Sequence, residues 1–231
     1  MHTQLFVDLP EAELRAYLRA VHAQPDDDAP RLALAAWLES HGDIRGRMIR
    51  GSCGALPDWR SSWEGDILAF WLGTHYPRGI RWDSVRRGLL HVDIIDGHPL
   101  IDPAEESNAA FLAAAAQGWI GTARVEGWAS DVLALPEPTR SIVLGAYALH
   151  LSLRGEVDDA ALAGAGRLLN LASVSWEWYD GEECEITDVG LAELLGLRRL
   201  RYLDIRGRFS PEMLARLPPL ECGPVNLLAE E

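Results

Sequence analysis

The stretch ITDVGLAELLGLRRLRYLDIRG, residues 186–207, decides the fold class of this chain. Its leucines follow a three-residue step, at Leu191, Leu194, Leu197, Leu200 and Leu203. This step matches neither the 3.6-residue period of a helix nor the two-residue period of a strand. The stretch therefore divides into two elements.

The first half predicts a short helix and the second half predicts a strand. Thr187 is a good N-cap residue, and Asp188 suits the positive end of the helix dipole. Gly196 ends the helix, and residues 202–206 alternate inward and outward as a strand does. One short helix and one short strand cannot bury so many leucines, so the unit must stack on similar units.

This stretch resembles the leucine-rich repeat in its ribonuclease-inhibitor-like form. The matching residues are Ile186, Thr187, Asp188, Gly190, Leu191, Leu194, Leu197, Leu200, Leu203 and Ile205. The resemblance implies a solenoid with one parallel strand in each repeat. The alternative is an isolated helix–strand unit in an ordinary α/β domain.

Other parts of the chain repeat the strand pattern. The candidate strands are residues 90–94, 121–125, 148–153, 171–176, 200–205 and 223–227. Their last inward residues are 31, 28, 23, 29 and 22 residues apart, in or near the range of roughly 20 to 29 for leucine-rich repeats. Helices are predicted between them at residues 108–117, 141–147, 158–169, 188–195 and 211–217. We expect the six strands to form one parallel sheet in chain order.

A second resemblance lies in PDDDAPRLALAAWLESHGDIRGRMIR, residues 25–50, which looks like the bacterial repeat-companion domain. The matching residues are Asp27, Asp28, Ala29, Pro30, Arg31, Leu32, Ala35, Trp37, Leu38, Glu39, Gly42, Asp43, Arg45, Gly46, Ile49 and Arg50. The chain departs from the family at Leu34 and Ala36, where that family usually has Tyr and Asp. The resemblance implies association with repeats and no known activity. We expect the charged residues of the motif to pair between packed short helices; a binding site is the alternative.

We therefore predict an α/β protein in three segments. Residues 1–57 form a helical repeat-companion domain, residues 58–87 a Trp-rich capping or linker segment, and residues 88–231 a degenerate leucine-rich-repeat solenoid. The capping segment contains Trp59, Trp63, Phe70, Trp71 and Trp82. We interpret these aromatic residues as a plug over the open end of the solenoid, with a carbohydrate platform as the alternative.

Composition excludes several classes of function. The chain has 231 residues, a net charge of −14 and 21 basic residues, all of them arginine. Without lysine it cannot be a P-loop, Schiff-base or kinase-type enzyme. Its acidity argues against nucleic acid and anionic membranes as partners. No apolar run is long enough for a transmembrane helix, and the N-terminus does not resemble a signal peptide, so we expect a cytoplasmic protein.

Candidate catalytic and metal-binding residues are sparse. His91 and Asp93 lie near Asp96 and His98, but no further histidine follows at ligand spacing. Cys53, in the sequence GSCG, could be a nucleophile but has no identifiable base. The three cysteines are far apart and are predicted to be free thiols. We expect no catalytic residue, no cofactor and no metal.

The predicted site is a partner-binding surface formed by strand residues that point away from the apolar side. Its residues are His91, Asp93, Arg124, Ser152, Ser175, Asp204 and Arg206, extended by Glu177, Trp178 and Tyr179. We expect a non-enzymatic protein–protein interaction module, an adaptor or accessory subunit of a larger assembly. The alternatives are an acidic inhibitor or immunity-type protein that blocks a basic enzyme, and an enzyme of unrecognised type.

Overall fold

A computed structural model describes residues 9–56, 66, 68–69, 71–72, 80–95, 106–135, 137, 139–155, 157–177 and 186–226. The helices in this part of the chain include α1 Glu11–Ala23, α2 Ala29–Ser40, α3 Arg45–Ser52, α4 Glu106–Gln117, α5 Ala129–Leu133, α6 Thr139–Gly145, α7 Asp159–Gly166, α8 Asp188–Glu193 and α9 Pro211–Leu214. The strands are β1 Ile80–Arg86, β2 Leu89–Ile95, β3 Ile120–Trp128, β4 Ala148–Arg154, β5 Leu171–Glu177, β6 Tyr202–Asp204, β7 Arg206–Gly207 and β8 Val225–Asn226. The predicted helices between the strands are all present, within a few residues at their ends.

The protein is a mixed α/β protein whose first six strands form one mostly parallel sheet in chain order, β1 to β6. Strand β4 pairs with β5, and β5 with β6, in parallel. Strands β1 and β2 are joined by only two residues, a connection that antiparallel strands alone can use. The chain-order arrangement of the predicted central strands is confirmed.

The sheet differs from the prediction at both of its edges. Strand β1 was not predicted, because its buried residues Ile80 and Val85 are five positions apart and break the two-residue alternation. At the other edge, the last predicted strand is β8, which pairs in parallel with β7 in a separate two-stranded sheet. The six predicted strands therefore do not make up one sheet.

The chain divides into two compact units. The first unit comprises Met1–Val92, Ile101–Thr122 and Gly145–Tyr147, and the second comprises Asp93–Leu100, Ala123–Leu144 and Ala148–Glu231. The three segments predicted at residues 1–57, 58–87 and 88–231 stay predictions. No helix in the described part of the chain is long and apolar enough to cross a bilayer.

The first unit contains the three N-terminal helices, whose apolar faces form its core. In α1 the buried residues are Leu14, Leu18 and Val21, which the helical period places on one side. Leu34 of α2 and Ile49 of α3 are also fully buried. These three helices therefore contribute buried apolar residues to the first unit.

The Arg87–Gly88 turn attaches the β1–β2 hairpin to these helices. Arg87 donates from Nε and Nη2 to Oδ1 of Asp28, at 3.1 and 2.7 Å, and these bonds lower the pKa of the Asp28 carboxyl below its usual range. Arg31 in turn donates from Nε to the Arg87 carbonyl, at 3.0 Å. Both turn residues have positive φ, 48° and 85°, and a Cβ on Gly88 would lie 2.7 Å from a side-chain carbon of Ile49. The turn is therefore held by charge and by close packing.

Other charged residues of the repeat-companion motif also pair within the first unit. Arg50 donates to both carboxylate oxygens of Glu39, at 3.1 and 2.9 Å. The buried Arg45 makes two side-chain bonds to Asp43, and its guanidinium lies 4.9 Å from the ring centres of Trp71 and Trp119. The predicted pairing between short helices is confirmed for Arg50 of α3 and Glu39 of α2, whereas Arg45 and Asp43 pair locally at the start of α3.

The second unit repeats one arrangement at the start of three helices. The N-cap side chains of Asp158, Thr187 and Ser210 each accept a hydrogen bond from a backbone N–H in the first turn, of α7, α8 and α9 respectively. The residue before each cap is buried and apolar: Val157, Ile186 and Phe209. This combination fixes how the chain enters each helix. The predicted cap Thr187 is confirmed.

Aspartates in the first turns connect one of these helices to the next. Asp159 of α7 accepts from the backbone N–H of Thr187, at 2.8 Å, and from its hydroxyl, at 2.6 Å. Asp188 of α8 accepts from the backbone N–H of Ser210 at 2.9 Å, and bonds from Ser210 lower the pKa of the Asp188 carboxyl. Each helix start is therefore tied to the start of the following helix.

The leucine stretch that opened the sequence analysis lies in the core of the second unit. Leu191, Leu194, Leu200, Leu203 and Ile205 are all fully buried. In strand β6, the buried Leu203 alternates with the more exposed Tyr202 and Asp204. The predicted inward register of this strand is confirmed.

Replacing Leu203 with alanine should lower the free energy of unfolding by about 2–5 kcal/mol, because a fully buried leucine leaves a cavity when it is truncated. Urea denaturation of the intact chain measures this loss. The matched control is Leu169→Ala, whose leucine is 79% exposed and whose loss should stay within about 0.5 kcal/mol. A loss below about 1 kcal/mol at Leu203 would contradict the core position of this residue.

Replacing Gly88 with alanine should destabilise the protein more than replacing Gly54 with alanine. Both glycines have positive φ, 85° and 70°, so both substitutions strain the backbone. Only at Gly88 does the added Cβ meet another residue, Ile49. We expect a difference of at least about 1 kcal/mol between the two variants in urea denaturation, which is the usual cost of overpacking. Equal losses would show that the turn does not pack on α3.

Candidate functional site

Two rows of polar side chains cross the parallel strands β4, β5 and β6. The strand register aligns His150 with Ser173 and Ser173 with Tyr202, which form the first row. Two positions further along each strand, the second row consists of Ser152, Ser175 and Asp204. Side chains two residues apart on a strand point to the same side. We call these six residues the polar rows.

Contacts within the polar rows fix several of these side chains. Nδ1 of His150 and the hydroxyl oxygen of Ser173 share a hydrogen bond of 3.0 Å. The Tyr202 hydroxyl lies 3.5 Å from Oδ2 of Asp204. The negative charge of Asp204, followed by that of Cys222, raises the pKa of Tyr202, so the phenol stays protonated and can donate a hydrogen bond.

The structure brings three of the predicted site residues together. Ser152, Ser175 and Asp204 form the second polar row. Arg124 lies on β3, exposed, where its guanidinium pairs with Glu126 at 2.7 Å. Arg206 is exposed on β7.

The other predicted residues contribute less to an accessible surface. His91 is 8% exposed, and Asp93, also on β2, is half-buried. Ser152 in the second row is likewise 8% exposed. Glu177 ends strand β5. Its side chain, together with Trp178 and Tyr179, lies outside the described residues.

Sequence reasoning missed His150, Ser173 and Tyr202. The signal was present, because each stands two positions before a residue that was predicted: Ser152, Ser175 and Asp204. On β4, β5 and β6 the prediction took the outward residue nearest the end of the strand, whereas the two-residue alternation also places the earlier ones on that side. Tyr202, which is 37% exposed, is the most prominent of them.

The contact between His150 and Ser173 can be compared with the geometry that nucleophilic catalysis requires. A serine beside a histidine can be the start of a nucleophile–base pair. Acyl transfer also needs hydrogen-bond donors for the oxyanion beside the serine. Ser173 lies on β5, which pairs with β4 on one side and β6 on the other, so the surrounding backbone N–H groups belong to the sheet. A metal is no better supported, since no group of three or more His, Cys, Asp or Glu residues suits a metal ion within the described chain.

Cys53 is the other candidate nucleophile. Its environment raises the pKa of the thiol, whereas a reactive thiol needs a lowered one. Helix α3 extends to Ser52, directly before Cys53. Burial raises the pKa of the Cys53 thiol to about 11, and the negative charge of Asp28 adds to the rise. Cys53 and Cys222 are free thiols, as predicted, and Cys184 lies outside the described residues.

Comparisons of this chain with protein-family models, curated proteins and solved structures find no match. The resemblances to the leucine-rich repeat and to the repeat-companion domain therefore rest on the residues that carry them.

Alkylation of Cys53 by iodoacetamide should be slow at pH 8 and should still accelerate above pH 10. A pKa of about 11 instead of 9.0 leaves roughly one hundredth of the usual thiolate at pH 8. The greater nucleophilicity of a more basic thiolate recovers a factor of about 6–10, so the net rate should be about tenfold lower. The measurement uses a chain with Cys184→Ser and Cys222→Ser.

In the chain with Cys184→Ser and Cys222→Ser, Asp28→Asn should speed the alkylation of Cys53 at pH 8. The substitution removes the negative charge of Asp28, which is the second cause of the raised Cys53 pKa. Asp26→Asn, a matched loss of charge nearby, should change the rate less. A plateau in rate near pH 9 would contradict the assigned environment of Cys53.

Proposed function

We propose that this chain is a non-enzymatic protein-binding module, an adaptor or accessory subunit of a larger assembly. In this proposal the second unit is a short solenoid of the leucine-rich-repeat kind, preceded by a helical repeat-companion domain. The partner is another protein, and it binds on the side of the sheet that carries the polar rows.

The repeated helix starts support the solenoid part of the proposal. The caps Asp158, Thr187 and Ser210 are 29 and 23 residues apart, within the usual repeat range of roughly 20 to 29. The ties from Asp159 to Thr187 and from Asp188 to Ser210 join each unit to the next. Contacts between nearest neighbours are the defining feature of repeat proteins.

The observation that carries the binding function is the alternation of polar and apolar residues along parallel strands. Parallel sheets in ordinary α/β domains are covered on both faces, and their strands read as nearly continuous apolar runs. Strand β4 instead alternates the buried Leu149, Leu151 and Leu153 with His150 and Ser152. One face of this part of the sheet is therefore polar, and it carries hydrogen-bonding groups in register.

The chemistry of that face favours recognition by shape and hydrogen bonds. Hydroxyl, imidazole, phenol and carboxylate groups lie side by side in the polar rows, and among these six residues the carboxylate of Asp204 is the one charged group when His150 is neutral. Tyr202, part-exposed and amphipathic, has the properties of an interface anchor, because buried aromatic residues with a polar tip often dominate binding energy. The free thiols of Cys53 and Cys222 support a reducing compartment such as the cytoplasm.

The test begins with a pull-down from the source cell, followed by affinity measurements on the recovered partner. Tyr202→Ala should weaken binding by about tenfold or more, as expected for an interface anchor, and Asp204→Asn should weaken it less. The matched control is Val189→Ala on helix α8, which is exposed and lies outside the polar rows, and it should bind as the unchanged chain does. Stable Tyr202 and Asp204 variants with unchanged affinity would place the interface elsewhere.

A salt titration of the same complex separates this function from that of an acidic inhibitor. Steering by a charge of −14 would make association fall steeply with ionic strength. Recognition through the polar rows should instead depend weakly on salt. A steep loss of association rate, unaffected by Tyr202→Ala, would favour the inhibitor.

A further inference from the structure

A cleft of about 700 Å³ lies in the second unit at the amino-terminal ends of strands β5 and β6. Its walls are the turns at residues 167–170 and 196–199, together with Leu144 from helix α6. We call it the arginine–leucine cleft. Its volume is within the range of roughly 300–1,000 Å³ that is typical of ligand pockets.

The lining combines cations with exposed apolar side chains. Arg167, Arg198 and Arg199 line the cleft, and Leu169 and Leu144 beside them are 79% and 44% exposed. A single exposed leucine is ordinary on a protein surface. Two exposed leucines in one cleft with three arginines are a specific combination in a chain with 35 acidic residues, and within the part of the chain that the structure describes no acidic residue lines this cleft.

Two of the arginines are open to a ligand. Arg167 and Arg198 are exposed, and within the described chain neither has a carboxylate at salt-bridge distance. By contrast, Arg45, Arg50 and Arg87 in the first unit all pair with carboxylates. The chain is acidic overall, but these guanidinium groups around the cleft are not neutralised. They give the cleft a local positive charge, which acts within about 8 Å at physiological salt.

The walls of the cleft are fixed by hydrogen bonds to the core. Buried Asn170 donates from Nδ2 to the Val143 carbonyl at 2.8 Å, which ties the first turn to α6. In the second turn, Nη1 of Arg201 donates to the carbonyls of Arg198 and Leu200, at 3.2 and 3.1 Å. A ligand that binds in the cleft would therefore order side chains of the protein and not its backbone. This lowers the entropic cost of binding.

We propose that the arginine–leucine cleft binds an acidic peptide segment of a partner protein, with leucine-like side chains flanked by carboxylates. Guanidinium groups bind carboxylates through paired hydrogen bonds, and the exposed leucines give the apolar side chains of the segment a surface to cover. A long polyanion such as nucleic acid fits less well, because the −14 net charge of the chain repels it beyond the cleft. This site is separate from the polar rows of the proposed function.

The probe is a fluorescein-labelled peptide, EELLEE, and the measurement is fluorescence anisotropy with the full chain. The combined Arg167→Gln and Arg198→Gln variant should bind at least about tenfold more weakly, since it removes two charge-assisted contacts. Leu169→Ser should weaken binding about fivefold through lost apolar contact. Peptides QQLLQQ and EESSEE should each bind more weakly than EELLEE.

The matched control is Arg47→Gln, which removes an exposed arginine in the first unit and should leave the affinity unchanged. Tyr202→Ala should also leave it unchanged, so failure of this site and failure of the polar rows can be told apart.

Equal affinities of the chain and the combined arginine variant would overturn the proposal. So would tighter binding of a labelled thymidine 20-mer that is insensitive to Leu169→Ser, since that pattern describes a nucleic-acid site. All the substituted residues are exposed, and melting temperatures verify that the variants are folded.

Discussion

The spacing of strands and helices is the constraint on which the second unit depends. Strands in a sheet lie about 4.8 Å apart, whereas helices ordinarily pack 8–10 Å apart. A chain that adds one strand and one helix at a time can keep its strands in register only if the helices approach closely. Glycine permits that approach: a Cβ on Gly166 would lie 2.6 Å from the Glu193 carbonyl oxygen, and one on Gly190 would lie 2.9 Å from Cα of Asp159. Close packing of the helices and the parallel register that aligns the polar rows are both present in this part of the chain.

Local patterns were enough to predict many of the helices and strands and the chain order of the central strands. Buried leucines, helix caps and the alternation in strands act over a few residues, so the sequence around Thr187 and Leu203 shows them directly. Features that depend on distant residues were not predictable in the same way. The bond from Arg87 to Asp28 joins residues 59 positions apart, and no local pattern marks Arg87 as the residue that holds the hairpin.

The candidate site was only partly predictable, for a related reason. Alternation indicates which side of a strand a residue occupies, so Ser175 and Asp204 could be predicted. It does not indicate how neighbouring strands align, and alignment is what places His150 beside Ser173 and Tyr202. Accessibility also depends on the tertiary structure, which is why His91 has the expected alternation and yet is buried. The arginine–leucine cleft combines turns from two successive units, so it too has no local signal.

The aspartate ties also bear on the order in which the chain can assemble. Asp159 precedes its donor Thr187 by 28 residues, and Asp188 precedes its donor Ser210 by 22 residues. On the ribosome, each acceptor carboxylate therefore leaves the exit tunnel before the backbone N–H group that donates to it. A completed helix start can then serve as a template for the next one. Each new helix start can thus bond to its predecessor while synthesis continues, which suits folding that begins at the N-terminal side of a growing chain.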